Sequence, residues 1–185
     1  MSNTYPVLVM CDVQNVFYGG KNFSSRRGTT NFGAIKEYLT DLIQQDYAEE
    51  GEIVDVEAWA YGIQTDQHDN IDLFADIREA GFFLVTEKDS VASKMQIEVL
   101  DKVPEFSAVV VISGSGIFQK VFKAVARNWP DIIRIIAAFD GTLHGVYRGG
   151  DDACVDEVII LDDRHITLGS GDGENIENKK VPGAG

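Results

Sequence analysis

Long apolar runs are missing from this chain. No stretch approaches the roughly 18 consecutive apolar residues of a membrane-spanning helix, so no membrane span is expected. Basic charge is scarce as well. Sixteen Lys and Arg stand against 30 Asp and Glu, for a formal net charge of −14. That balance opposes non-specific binding to nucleic acid, which needs cations to neutralise phosphates, although local patches matter more than the sum. The plainer reading is acidity in the service of solubility, and adaptation to high salt is another. Cysteine is nearly absent: Cys11 and Cys154 form no ligand cluster, Cys11 sits in an apolar run, and a reducing cytoplasm fits best. The N-terminal MSNTYPVLVM has no basic segment ahead of its apolar residues, so no signal peptide is expected. His68, His144 and His165 have no partners at metal-ligand spacing, which argues against zinc. One absence is local. Val109-Val-Val-Ile-Ser-Gly-Ser-Gly-Ile-Phe118 is a β-branched run that ends in a glycine-rich turn, and between Ser113 and Phe118 it has neither Asp nor Glu.

The residues that are present alternate between strand and helix patterns. Apolar or β-branched runs at Val7–Cys11, Ile53–Tyr61, Phe82–Thr86, Ala108–Ile112, Ile132–Ala138 and Glu157–Leu161 read as strands. Helical spacing appears over Phe32–Tyr47, Asn70–Ala80, Lys94–Val103 and Ile117–Arg127, with a short helix at Leu143–Tyr147. The Gly-, Ser- and Thr-rich stretch 16–32 reads as a long loop. This alternation predicts an α/β fold, a three-layer α/β/α sandwich around a mostly parallel sheet of order about 3-2-1-4-5. Residues 1–168 are expected to form one domain, and 169–185 a polar, Gly-rich C-terminal tail. Gly-Ser-Gly-Asp-Gly173 in that tail lacks the strand and the following Lys of a phosphate loop.

In such a sheet ligands bind outside the carboxyl ends of the strands, at the point where strand order reverses. Asp12 ends the first strand and Ser113 the fourth, so Asp12, Asn15, Ser113 and Ser115 should converge. Lys21, Arg26, Arg27, Lys88 and Lys94 fall in loops at the same edge, with Phe17, Tyr18, Phe23 and Tyr61 as possible stacking faces for a nucleic-acid strand. Asp66, Glu87, Asp89 and Asp140 dilute that basic rim. The plainer alternative makes Arg26-Arg27 a solvated loop charge and the aromatics part of the core.

Several segments, in order, resemble a known family: Asp12-Val-Gln-Asn15-Val-Phe-Tyr, Trp59-Ala-Tyr61, Ala80-Gly-Phe82, a helix with Lys94-Met-Gln-Ile-Glu98, and Ser113-Gly-x-x-x-Phe118. Together they are similar to the NYN domain, and more narrowly to the LabA-like (DUF88) branch of the PIN-like superfamily. Ala153-Cys-Val-Asp156-Glu-Val-Ile-Ile-Leu-Asp162 resembles the family's closing passage, so the likeness spans roughly 6–163. The resemblance implies a metal-dependent ribonuclease fold. Its site would have an Asp after the first strand, Asp residues on the third helix, and two more in a Ser-Gly-Asp-x-Asp-Phe motif. Such carboxylates hold Mg²⁺ or Mn²⁺, which activates a water and stabilises the leaving oxygen.

Asp12 and Asn15 match that pattern, whereas Ser115 and Ile117 replace the two acids of the fourth-strand motif. Gln96 stands where the first helix acid is expected, and the second is either Asp101 or Glu98. With Asp12 as the one clear metal ligand, two carboxylates at most remain, a poor site for Mg²⁺ or Mn²⁺. Three readings follow. In the first the domain has lost metal-dependent cleavage, keeps Asp12, Asn15 and Asp101 as a vestigial site, and binds RNA or a nucleotide or serves as an assembly module. Its anion contacts would be Ser113, Gly114, Ser115 and Gly116, together with Arg26, Arg27 and Lys94, because backbone N–H groups and hydroxyls at a helix start can cradle phosphate. A neutral turn with no ligand is the competing view of those residues. In the second the protein is an active Mg²⁺- or Mn²⁺-dependent ribonuclease on a rearranged set of Asp12, Asp101 or Glu98, and Asp140. In the third it self-associates as a homo-oligomer.

Overall fold

The carboxyl edge of one parallel sheet organises this molecule. The structure is a computed structural model that describes residues 3–23, 28–64, 69–149 and 154–168. The elements run β1 (Thr4–Asp12), α1 (Val13–Phe23), β2 (Gly28–Thr30), α2 (Phe32–Asp46), β3 (Ile53–Ile63), α3 (Asp69–Glu79) and β4 (Phe83–Glu87). Then come α4 (Ala92–Lys102), β5 (Ala108–Ile112), α5 (Gln119–Asn128), β6 (Ile133–Phe139), β7 (Glu157–Leu161) and β8 (Ile166–Leu168). Six strands form the main sheet in the order β4-β3-β1-β5-β6-β7, every neighbouring pair parallel. This is the expected 3-2-1-4-5 arrangement with the sixth predicted strand added at one edge.

Val7–Cys11 of β1 and the whole of β5 are apolar because both of their faces are covered. Val7, Val9 and Cys11 alternate with Leu8 and Met10 along β1, and the two sets enter different cores. The first core is closed by Val13 and Val16 of α1, Ile35, Leu39 and Ile43 of α2, and Phe74 and Ile77 of α3. The second is closed by Met95 and Val99 of α4 with Val121, Phe122 and Val125 of α5. The period-2 alternation carries forward to the strand ends. Asp12 and Tyr61, in register across β1 and β3, therefore share the α4–α5 side with Ser113.

The stretch 16–32 differs from the expected loop. Gly19 and Gly20 lie in α1, where they allow close approach instead of breaking the helix. A Cβ at Gly20 would come within 2.4 Å of Thr30 Oγ1, and one at Gly19 within 3.0 Å of Thr142. The following β2 pairs antiparallel with β8, an element too short to leave a periodic signal. The helix expected over Leu143–Tyr147 is a single 3₁₀ turn at Gly145–Tyr147. Segment 169–185, expected as a tail, lies outside the described residues.

β8 is fastened by His165, which is only 1% exposed. Its Nδ1 accepts from the Asp162 N–H at 3.0 Å, its carbonyl accepts from the Asn31 N–H at 2.8 Å, and its ring lies 4.9 Å from that of Tyr38. Burial pushes the imidazole pKa below its usual range, against the opposing pull of the Asp162 carboxylate. Glu37, Asp41 and Arg164 flank the same spot. A folded-state pKa below the unfolded value means that His165 stabilises the fold above its unfolded pKa. That contribution is lost as pH falls through the folded value. The wild-type melting temperature should therefore drop between pH 7 and pH 5, and His165→Asn, which keeps an acceptor but cannot titrate, should flatten that slope. Parallel slopes for the two proteins would contradict this account.

Candidate functional site

Strand order reverses between β1 and β5, so the crevice outside their carboxyl ends is where a ligand site is expected. Asp12 closes β1 there and is 9% exposed, while Ser113, the first residue after β5, is fully buried. Asp12 Oδ1 accepts from the Asn15 N–H and Oδ2 accepts from the Ser113 hydroxyl, each at 3.2 Å. Ser113 Oγ in turn accepts from the Ser115 N–H at 3.2 Å, and Asn15 Oδ1 accepts from the Gly114 N–H at 2.7 Å. The residues brought together are thus Asp12, Asn15, Ser113, Gly114 and Ser115, and the links among them close on one another. Burial raises the Asp12 carboxyl pKa, and the two hydrogen bonds only partly oppose it.

The turn is pressed from above by the chain that follows β6. A Cβ at Gly114 would stand 2.1 Å from the Thr142 carbonyl oxygen, a backbone atom that cannot swing aside. The Gly114 carbonyl accepts from the His144 N–H at 2.8 Å, and the Ser115 carbonyl accepts from the Tyr147 hydroxyl at 2.9 Å. At Gly116 the nearest atoms belong to the His144 ring, at 2.9 Å. The glycines of the turn thus answer first to packing. This strap of Thr142, His144 and Tyr147 escapes sequence reasoning, and the one trace of it is the pair of alternating glycines.

The acids weighed as metal ligands go elsewhere. Glu98 accepts from the hydroxyl of Tyr61 at 2.5 Å. Tyr61 is completely buried, which corrects its expected part as a stacking face. Burial, reinforced by Glu98, drives its phenol pKa far up. Asp101 is exposed on the last turn of α4, about 13 Å along the helix from its start at the 1.5 Å rise per residue. Asp140 pairs with Arg148 at 2.7 Å. Gln96 donates to the Ile117 carbonyl at 3.3 Å. Lys94 pairs with Glu87, and both border an open cleft of about 950 Å³ beside α4 with Lys88, Asp89, Glu98 and Asp101. Tyr18 is exposed, as are Lys21 and Lys88. Arg26, Arg27, Asp66 and His68 lie outside the described residues. Among the described residues no group of three or more His, Cys, Asp or Glu is placed to hold a metal ion.

Two substitutions test this geometry. The folded-state pKa of Asp12 is raised, so its stabilising contribution is complete below the unfolded carboxylate range and is lost as pH rises through the folded value. Asp12→Asn should therefore raise the urea midpoint at pH 7, with the advantage vanishing near pH 3; a large loss at pH 7 would contradict the burial argument. Gly114→Ala should cost about 3 kcal/mol by overpacking against backbone, whereas Gly116→Ala, facing a side chain that can turn, should cost less than about 1 kcal/mol. Equal losses in chemical denaturation would show that the strap is not seated as described.

Comparison with known proteins follows the fold. The family model described as the NYN domain matches residues 6–142. A crystal structure of a Vibrio parahaemolyticus protein of unknown function superposes with a TM-score of 0.69 at 15% identity, covering 90% of this chain and 99% of that one. No curated protein matches the chain.

Proposed function

This chain belongs to the NYN domain family, with its PIN-like nuclease-type fold, and from that premise we propose that it binds nucleic acid without cutting it. The observation that carries this reading is the state of Asp12. Among the described residues its carboxylate belongs to no group of three or more His, Cys, Asp or Glu placed to hold a metal ion, and both of its oxygens already face internal donors. Mg²⁺ or Mn²⁺, which the family implies, does not fit such a donor set. A hard cation of this kind takes about six oxygens, several of them water, and needs one or two carboxylates whose oxygens are free to ligate it. Here Asn15 Oδ1 is engaged by Gly114, the Ser113 hydroxyl is donating, and Ile117 has no side-chain oxygen.

Loss of the two turn acids also removes the repulsion that would keep a phosphate away. The amides of Gly114 and Ser115 are used internally, so phosphate contact from this turn falls to the Ser115 side chain and the start of the helix beyond it. Lys94, Arg26 and Arg27 remain in this reading as anion contacts at the rim, and Asp101 as a vestigial acid. Membership of the LabA-like branch is inferred from the order of the Asp12, Lys94 and Ser113 motifs. A cytoplasmic setting is inferred from the two free, buried cysteines. Among the described residues no helix is long and apolar enough to cross a membrane.

Incubation of the full chain with labelled single-stranded and hairpin RNA in Mn²⁺ and in Mg²⁺ tests the proposal. The expected outcome is retained, gel-shifted RNA with no cleavage in either metal. Cleavage that Asp12→Asn abolishes would instead establish the active ribonuclease on a rearranged carboxylate set.

A further inference from the structure

α5 departs from the electrostatics of the rest of the molecule. In a chain of net charge −14, its ten residues, QKVFKAVARN, carry Lys120, Lys123 and Arg127 and no acid. All three cations are exposed. At 100° per residue they fall within about 60° of arc, and over about 10 Å of helix length. Val121, Phe122 and Val125 turn the opposite side of α5 into the core. Several other cations are neutralised: Lys94 by Glu87, Lys102 by Glu57, Arg134 by Asp156 and Arg148 by Asp140. Among the described residues Lys120 and Arg127 have no carboxylate partner. Two unneutralised cations on an acid-free helix are a local reversal of the field, and such a patch attracts polyanions whatever the net charge.

The position of the helix indicates which polyanion. α5 continues directly from the Ser113–Phe118 turn, and Lys120 lies in its first turn, at the end nearest Asp12. We propose that the outer face of α5 is a track for the phosphate backbone of single-stranded nucleic acid, with Lys120 and Arg127 as its phosphate contacts. The track is narrow. Asp101 is exposed on the neighbouring α4, so the second strand of a duplex would meet a carboxylate there. A strand leaving the crevice at Ser115 would meet Lys120 first and Arg127 two turns later. Backbone contacts of this kind fix register without reading bases, so the track should not distinguish sequence.

This inference rests on the nucleic-acid reading above, and salt titration separates the two. Binding of a labelled 15-residue oligouridine RNA to the full chain is measured by fluorescence anisotropy from 20 to 200 mM KCl. Each phosphate contact to a single strand contributes about 0.7 to the slope of log K against log salt. Lys120→Gln/Arg127→Gln should therefore lower the slope by about 1.4 and weaken binding at 50 mM salt by at least about tenfold. Arg78→Gln, on α3, should leave both unchanged, and oligothymidine DNA should behave like the RNA. Wild-type binding with the same slope in the double variant would overturn the α5 track and leave the nucleic-acid reading intact. No wild-type binding at 20 mM salt would overturn both. Tighter binding of poly-glutamate than of RNA, lost in the double variant, would overturn the track in favour of an acidic protein partner.

Discussion

The sharing of one buried carboxylate between a backbone amide and a hydroxyl organises the carboxyl edge of this sheet. Asp12 is drawn inward because β1 is covered on both faces, and at its end the only compensation available is hydrogen bonding to Asn15 and Ser113. Those two partners fix the start of α1 and the turn after β5. That turn then fixes the chain after β6 through Gly114, which approaches Thr142 too closely for any side chain. A buried acid with a raised pKa at a switch point is the usual mark of a functional site. Here its neighbours are hydroxyl and amide groups, and together they form a self-satisfied network.

Much of the fold was legible in the sequence because parallel strands buried on both faces write themselves as unbroken apolar runs. Ala108–Ile112 and Glu157–Leu161 have the predicted bounds, and the strand order follows from crossover chirality and spacing. The failures have physical causes. α1 was hidden because Gly19 and Gly20, which normally punctuate loops, serve close packing against Phe139, Thr142 and Thr30. β2 and β8 are three residues each, too short for a period to register. At the site, Asp12, Asn15 and Ser113 were legible from their places at strand ends. The partners of Tyr61, Glu98 and the Thr142–Tyr147 strap were not, since a long-range hydrogen bond leaves no local pattern. A strand-end tyrosine reads equally as a stacking face or as core, and here Tyr61 is core.

Charge is the second organising theme. The chain is acidic as a whole, and Lys94, Lys102, Arg134, Arg148 and Arg164 are each paired with a carboxylate a few ångströms away. A net negative charge of this size suppresses indiscriminate attraction to polyanions. Against it stand Lys120 and Arg127 of α5, which have no carboxylate partner among the described residues, a patch too small to alter net charge yet able to steer a strand toward the crevice beside it. A weak, salt-sensitive binder with little sequence preference is the behaviour this pattern predicts.

The proposal that most depends on the Asp12 network is that the crevice there is closed on itself and does not form a divalent-metal centre. Mn²⁺ titration of the full chain, followed by the loss of the free-ion electron paramagnetic resonance signal, addresses it most directly. The account predicts no stoichiometric binding at micromolar Mn²⁺ and titrations of wild type and Asp12→Asn that overlay. One tightly bound Mn²⁺ per chain, removed by Asp12→Asn, would contradict it.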